Sequence, residues 1–217
     1  MGFFSQILDV VWPRRCEICG RPADRSDRHF CSECLNRIPF VRPEDGEYEI
    51  PDAVSAVRFE DETRQAILDF KFNRHLWLKE DFVDWLEAAV SARFDAAAVD
   101  AVVAMPTTVR HRMDRGYNPC ALLAASLAKR QDRRFLGKAL FRQGNFQRQG
   151  GLDEASRKTN VAGTIGVKCA EFVRGRTILV VDDIMTTGST LAECAKTLKA
   201  AGAARVWSVS LARSVRG

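Results

Sequence analysis

Arg176-Thr-Ile-Leu-Val-Val-Asp-Asp-Ile-Met-Thr-Thr-Gly-Ser-Thr-Leu191 decides the fold. Its run from Ile178 to Val181 is apolar and mostly β-branched, without a polar break, which is the pattern of a central parallel strand covered on both faces. Open α/β sheets bind their ligands beyond the carboxyl ends of such strands. There the chain places Asp182 and Asp183, then Thr186, Thr187, Gly188, Ser189 and Thr190 at the opening of a helix. Backbone N–H groups, hydroxyls and the positive end of a helix dipole together favour a phosphate. Gly188 lets the backbone approach it closely. Adjacent carboxylates accept hydrogen bonds from ribose hydroxyls, directly or through a hydrated Mg²⁺. The ligand implied by this order of residues is a ribose 5-phosphate.

Two other protein classes also carry a Val-Val-Asp-Asp strand. A receiver domain places its acids near the start of the chain with several strand-helix units to follow, whereas one helix and one strand follow Asp183 here. A P-loop ATPase needs Gly-x4-Gly-Lys-Ser/Thr, which does not occur. Working outward, hydrophobic periodicity predicts strands at 53–59, 100–105, 139–142, 164–167, 177–182 and 205–212. Helices are expected at 3–11, 63–72, 76–93, 116–130 and 188–201, with no convincing period over 143–158. Strands alternating with helices give an α/β chain with a mostly parallel sheet.

The second strong signal is Cys16-Glu-Ile-Cys19, eleven residues, then Cys31-Ser-Glu-Cys34. Two CxxC knuckles suit one tetrahedral zinc ion, and four sulfur ligands leave no open position, so the metal is expected to be structural. A redox pair belongs at a strand-to-helix junction, and disulfides suit secreted chains. The apolar start of this chain has neither a basic leader nor a small-residue cleavage site, and it is too short to span a membrane. Cytoplasmic residence without membrane insertion is therefore expected. Cys120 and Cys194 read as small hydrophobes, and Cys169 has no assigned role. His29 lies inside the cysteine module, whereas His75 and His111 lie among charged residues and read as solvated. The expected division is a helix and zinc module over 1–48 and an α/β domain over 49–217.

Charge is unevenly spread. The chain carries 33 basic and 28 acidic side chains, and residues 107–158 alone hold 12 basic and 4 acidic ones. A basic middle beside a phosphate site fits a pyrophosphate-bearing ligand, a nucleic-acid backbone, or both. Lys129, Arg130, Arg133 and Arg134 read as a solvated helix face. Arg110, Arg112, Arg115, Arg142, Arg148 and Arg157 fall in loop-like segments, where arginine makes forked contacts with phosphate.

The 176–191 stretch resembles the phosphoribosyl pyrophosphate (PRPP) signature of type I phosphoribosyltransferases. Nearly the whole length resembles the ComF family, phosphoribosyltransferase-like proteins named for competence for DNA uptake. The matching features are the four-cysteine module, Leu68-Asp-Phe-Lys71-Phe-Asn, Met105-Pro-Thr with Arg112 and Arg115-Gly116-Tyr-Asn118, Arg142…Gln149…Arg157…Asn160, and the acid pair with its Thr-Thr-Gly-Ser-Thr segment. The resemblance implies a type I phosphoribosyltransferase fold, with a pyrophosphate loop near 105–112 and a mobile loop near 142–160. In it Asp182 and Asp183 hold the ribose and its Mg²⁺, residues 186–190 hold the 5′-phosphate, and Thr107, Thr108 and Arg110 neutralise the pyrophosphate with help from Arg112, Arg142 or Arg157. PRPP is the implied ligand, with a nucleobase acceptor and single-stranded DNA as further partners. Several purine-salvage members have an aspartate where this chain has Thr186, and threonine does not assist proton transfer near neutral pH. The resemblance therefore leaves the acceptor and the oligomeric state open, and with them the choice between a transferase and a PRPP-gated single-stranded-DNA-binding protein.

Overall fold

In the computed structural model, which describes residues 14–24, 28–42, 52–142 and 163–214, the 178–181 run lies in the middle strand of a five-stranded sheet. The strands are β1 (Ala53–Arg58), β2 (Ala101–Ala104), β3 (Arg134–Phe135), β4 (Leu140–Arg142), β5 (Ile165–Val167), β6 (Thr177–Met185) and β7 (Arg205–Arg213). Five of them run parallel in the order β1-β7-β6-β2-β3. The helices are α1 (Ser32–Leu35), α2 (Asp61–Phe72), α3 (Lys79–Arg93), α4 (Val109–Arg115), α5 (Pro119–Arg130) and α6 (Ser189–Ala200). Ile178, Leu179, Val180 and Val181 are fully buried, as a strand covered on both faces requires.

Helix α5 turns Leu123, Ala124, Leu127 and Ala128 onto β2 and β6, and α3 packs beside it over β1 and β7. The chain leaving β2 crosses to β3 on one side, while the chain leaving β6 crosses through α6 to β7 on the other. Right-handed crossovers in opposite directions put α6 on the opposite face from α3 and α5. Strands β2 and β6 are neighbours, so the crossovers part between them, and a crevice opens beyond their carboxyl ends. The α/β class and the mostly parallel sheet agree with the sequence pattern.

Four details differ from that pattern. The helix expected over 116–130 starts later, because Gly116 takes φ +82 to end α4, a helix the pattern did not predict, and Pro119 opens α5. The segment 76–93 begins as a 3-10 turn over Leu76–Leu78 before α3. Strand β3 has two residues, too few to show a period. Strands β4 and β5 form a separate antiparallel ribbon rather than joining the sheet. The helix at 3–11 and the 143–158 tract lie outside the described residues.

The cysteine module is packed onto the sheet domain. Phe30 is 2% exposed and stacks at 5.1 Å on Trp85, which lies 5.1 Å from Phe82, and Phe82 meets Phe70 edge-on at 5.3 Å. Buried Asp81 accepts from the His29 backbone at 3.2 Å and from its Nδ1 at 3.0 Å. Arg14 lies 3.1 Å from Nε2 and can only donate, so Nε2 is the acceptor and Nδ1 carries the proton given to Asp81. Residues 39–41 extend the docking along the edge of β1, with Val41 donating to Ala56 at 3.0 Å and Arg58 donating to Pro39 at 2.9 Å. Phe30→Ala should therefore cost about 3–5 kcal/mol of stability in urea unfolding. A loss below about 1 kcal/mol is the expectation for a loosely tethered module and would contradict this packing.

Candidate functional site

Asp182 and Asp183 sit at the end of β6, at the switch-point crevice. Asp182 is buried, and its Oδ1 accepts from the Asp183 amide at 2.9 Å and from the Cys120 thiol at 3.5 Å. Asp183 accepts from the Ile184 amide at 2.7 Å, and its Oδ2 lies 2.8 Å from Nζ of Lys71. Ligand atoms of Cys120, Asp182 and Asp183 all lie within 4.8 Å of one another. Burial and then the neighbouring Asp183 charge push the Asp182 carboxyl up to about 7. The Cys120 thiol is pushed well above its ordinary range, chiefly by burial and then by both acids, so it stays protonated and donates.

Three residues from the Arg-Gly-Tyr-Asn turn hold this arrangement. Gly116 brings the chain back sharply, and a β-carbon there would stand 3.2 Å from the Arg74 guanidinium. Tyr117 donates its hydroxyl to the Phe70 carbonyl and so fixes the last turn of α2, which carries Lys71. Asn118 donates to the Met105 carbonyl at 3.0 Å, tying down the exit of β2, while its oxygen caps α5 by accepting from Cys120 N at 3.1 Å.

Beyond β6, Gly188 is the N-cap of α6 with φ +72, a conformation that disfavours any side chain, and it offers no side-chain cap. The first turn of α6 carries no acid. Its amides and the hydroxyls of Thr186, Thr187, Ser189 and Thr190 thus form a cradle suited to an anion. The Thr187 and Ser189 hydroxyls bond to each other, and the Ser189 amide donates to Thr187 Oγ1 at 3.3 Å.

Thr107 and Thr108 lie on the neighbouring exit of β2. The Thr108 hydroxyl accepts from His111 N at 3.2 Å and caps α4, on which Arg110 and Arg112 are exposed. Arg142 sits on the β4–β5 ribbon, and Arg157 is outside the described residues. His75 is not simply solvated: it stacks on Trp77 at 4.3 Å and lies 3.3 Å from Glu17 of the first cysteine knuckle. Lys71 and Tyr117 stood in the sequence as parts of short motifs, but their roles depend on α2 meeting β6, which no local pattern shows.

Sulfur atoms of Cys16, Cys19, Cys31 and Cys34 also lie within 4.8 Å of one another. Cys19 and Cys31 are 3.7 Å apart, and a tetrahedral ZnS₄ centre with Zn–S of about 2.3 Å has edges near ~3.8 Å. The donors and spacing fit a structural zinc. Arg21 pulls the exposed Cys19 thiol down to about 6, while burial pushes Cys34 up to about 12. Zinc binding at neutral pH therefore displaces more proton from Cys34 than from Cys19.

A phosphoribosyl transferase domain model matches residues 117–216, and a double zinc ribbon domain model matches residues 7–44. Competence protein F of Haemophilus influenzae is 28% identical over 206 residues, covering 92% of this chain and 84% of that protein. This chain is similar to competence protein F along nearly its whole length. DNA utilization protein YhgH of Escherichia coli O6:H1 is also 28% identical, over 205 residues, with 92% and 84% coverage. Among solved structures, an adenine phosphoribosyltransferase superposes with a TM-score of 0.45 at 14% identity, over 66% of this chain and 74% of that one. No helix among the described residues is long and apolar enough to cross a membrane.

Two outcomes follow from this geometry. Native mass spectrometry should find one zinc per chain, with a metal-free folded chain as the contrary result. The folded protein also keeps a proton on Asp182 that the unfolded chain releases near the ordinary aspartate value of about 3.9. The sign follows: its contribution to stability is full below about pH 4 and is lost as pH rises through about 7. Asp182→Asn should accordingly gain stability relative to wild type between about pH 5 and pH 8 in urea unfolding; a constant difference contradicts the raised value.

Proposed function

We propose that the protein binds PRPP with Mg²⁺ at the β2/β6 switch point and works as a phosphoribosyltransferase-family protein linked to competence, in the cytoplasm. The observation that supports this reading is the convergence of an acid pair, an uncapped helix N-terminus and the exit of a neighbouring parallel strand in one crevice. The donor sets suit the parts of such a ligand. Amides and hydroxyls of 186–190 take the 5′-phosphate, Asp182 and Asp183 take the ribose hydroxyls, and Thr107, Thr108, Arg110 and Arg112 take the pyrophosphate, with Arg142 and Arg157 from the following segment. The oxygen donors of the acid pair suit a hard divalent cation, which would neutralise charge on the departing pyrophosphate.

In the transferase reading the C1′–O bond breaks and its electron pair leaves with pyrophosphate. The lone pair of a nucleobase nitrogen then closes on the oxocarbenium-like carbon. The protein contributes position and charge rather than a covalent group. We place the division between zinc module and transferase-like domain at residues 48 and 49. A second reading, PRPP-gated binding of single-stranded DNA without turnover, is favoured by the basic 107–158 segment and by the name of the Haemophilus relative.

Calorimetry should detect Mg²⁺-dependent PRPP binding that Asp182→Asn/Asp183→Asn abolishes while the domain stays folded; unchanged affinity in the double variant would sink the assignment. Pyrophosphate release screened over a panel of nucleobases then separates the two readings. Base-dependent release establishes a transferase, and tight PRPP binding without release favours the DNA-binding role.

A further inference from the structure

Lys71 is a cation placed inside the acid pair by the fold. Its side chain is 12% exposed and that of Asp183 is 15% exposed, so their 2.8 Å contact lies largely out of water, where opposite charges attract more strongly than at the surface. The backbone beneath it is pinned: Phe70 is fully buried against Phe82, and its carbonyl accepts the Tyr117 hydroxyl. Withdrawal of the ammonium is therefore a swing of its flexible four-carbon stem, not a shift of α2. On the next residue, the Phe72 ring lies 5.9 Å from Nζ but already carries the Arg115 guanidinium at 4.3 Å, so it does not take over the ammonium.

We propose that Lys71 is the resident cation of the site, holding Asp183 until a divalent ion displaces it, so that lysine and metal compete for one carboxylate. This deepens the PRPP reading and rests on it for the ligand. A divalent ion arriving alone must evict a buried ammonium with nothing to receive it. An ion arriving with PRPP brings phosphate oxygens that the released ammonium can pair with, so metal and PRPP bind better together than apart. Lys71 thereby acts as a positioning residue that suppresses metal binding in the absence of ligand.

The test is titration of the full-length, zinc-loaded protein with Mn²⁺ alone, read by electron paramagnetic resonance, for wild type, Lys71→Met and Lys71→Arg. If the carboxylate is free of lysine for about a tenth of the time, Lys71→Met should bind Mn²⁺ about tenfold more tightly, and Lys71→Arg should stay near wild type. Adding Asp183→Asn to Lys71→Met should remove the gain. Lys71→Gln, which keeps a hydrogen-bond donor for Asp183, replaces Lys71→Met if that variant does not fold. Unchanged Mn²⁺ affinity in a folded neutral variant overturns the proposal. PRPP calorimetry on the same samples keeps the two claims apart. Wild-type PRPP binding with no Mn²⁺ gain rejects Lys71 alone, and a Mn²⁺ gain without PRPP binding in wild type rejects the PRPP reading alone.

Discussion

Two consecutive carboxylates at the end of a buried strand are the constraint around which this molecule is arranged. Left alone, they would repel each other in a place that solvates neither. The structure answers with donors at close range: the amides of Asp183 and Ile184, the Cys120 thiol and the Lys71 ammonium. The two amides belong to the strand itself, whereas the thiol and the ammonium come from distant places in the chain. Cys120 is delivered by the first turn of α5, and Lys71 by the last turn of α2, so two helices must end or begin within a few ångströms of one strand terminus. The Arg115–Asn118 turn makes this work, since Tyr117 secures α2 and Asn118 secures both β2 and α5.

The zinc module belongs to the same mechanical unit. Among the described residues, its own apolar cluster is three cysteines with Ile18 packed beside them, a small core that a metal would hold together. Phe30 and Ile38, by contrast, are part of the main core. The aromatic series Phe30, Trp85, Phe82, Phe70 runs from the module through α3 to the residue preceding Lys71. Arg28 also reaches Asp84 at 2.6 Å, and the same carboxylate pairs with Arg130 of α5. The module thus braces the two helices that supply the site with its lysine and its thiol, although it lies outside the crevice itself.

Much of this was legible in the chain because it is carried by short-range pattern. The Ile178–Val181 run, the acids after it and the glycine opening α6 follow one another within a dozen residues, and strand burial plus turn chemistry fix them locally. The four cysteines announce themselves by spacing. What could not be read is what arises between distant segments. Lys71 and Asp183 are far apart in sequence, and nothing in Leu68–Asn73 distinguishes an ion-pairing lysine from a helix-capping one. Cys120 looks like any small apolar residue on α5 until Asp182 is placed beside it. No spacing links His29 of the cysteine module to Asp81, 52 residues on, yet they form the buried joint between module and domain. The start of α5 at Pro119 rather than Gly116 is hidden in the sequence because an alanine- and leucine-rich run follows the left-handed Gly116 directly.

The most direct test of the account is a crystal structure of the protein with Mg²⁺ and PRPP. The account predicts the 5′-phosphate on the amides opening α6, the ribose hydroxyls facing Asp182 and Asp183, and the Lys71 ammonium drawn off Asp183. A phosphate bound elsewhere, with the Lys71–Asp183 contact intact and the α6 cradle empty, would contradict it.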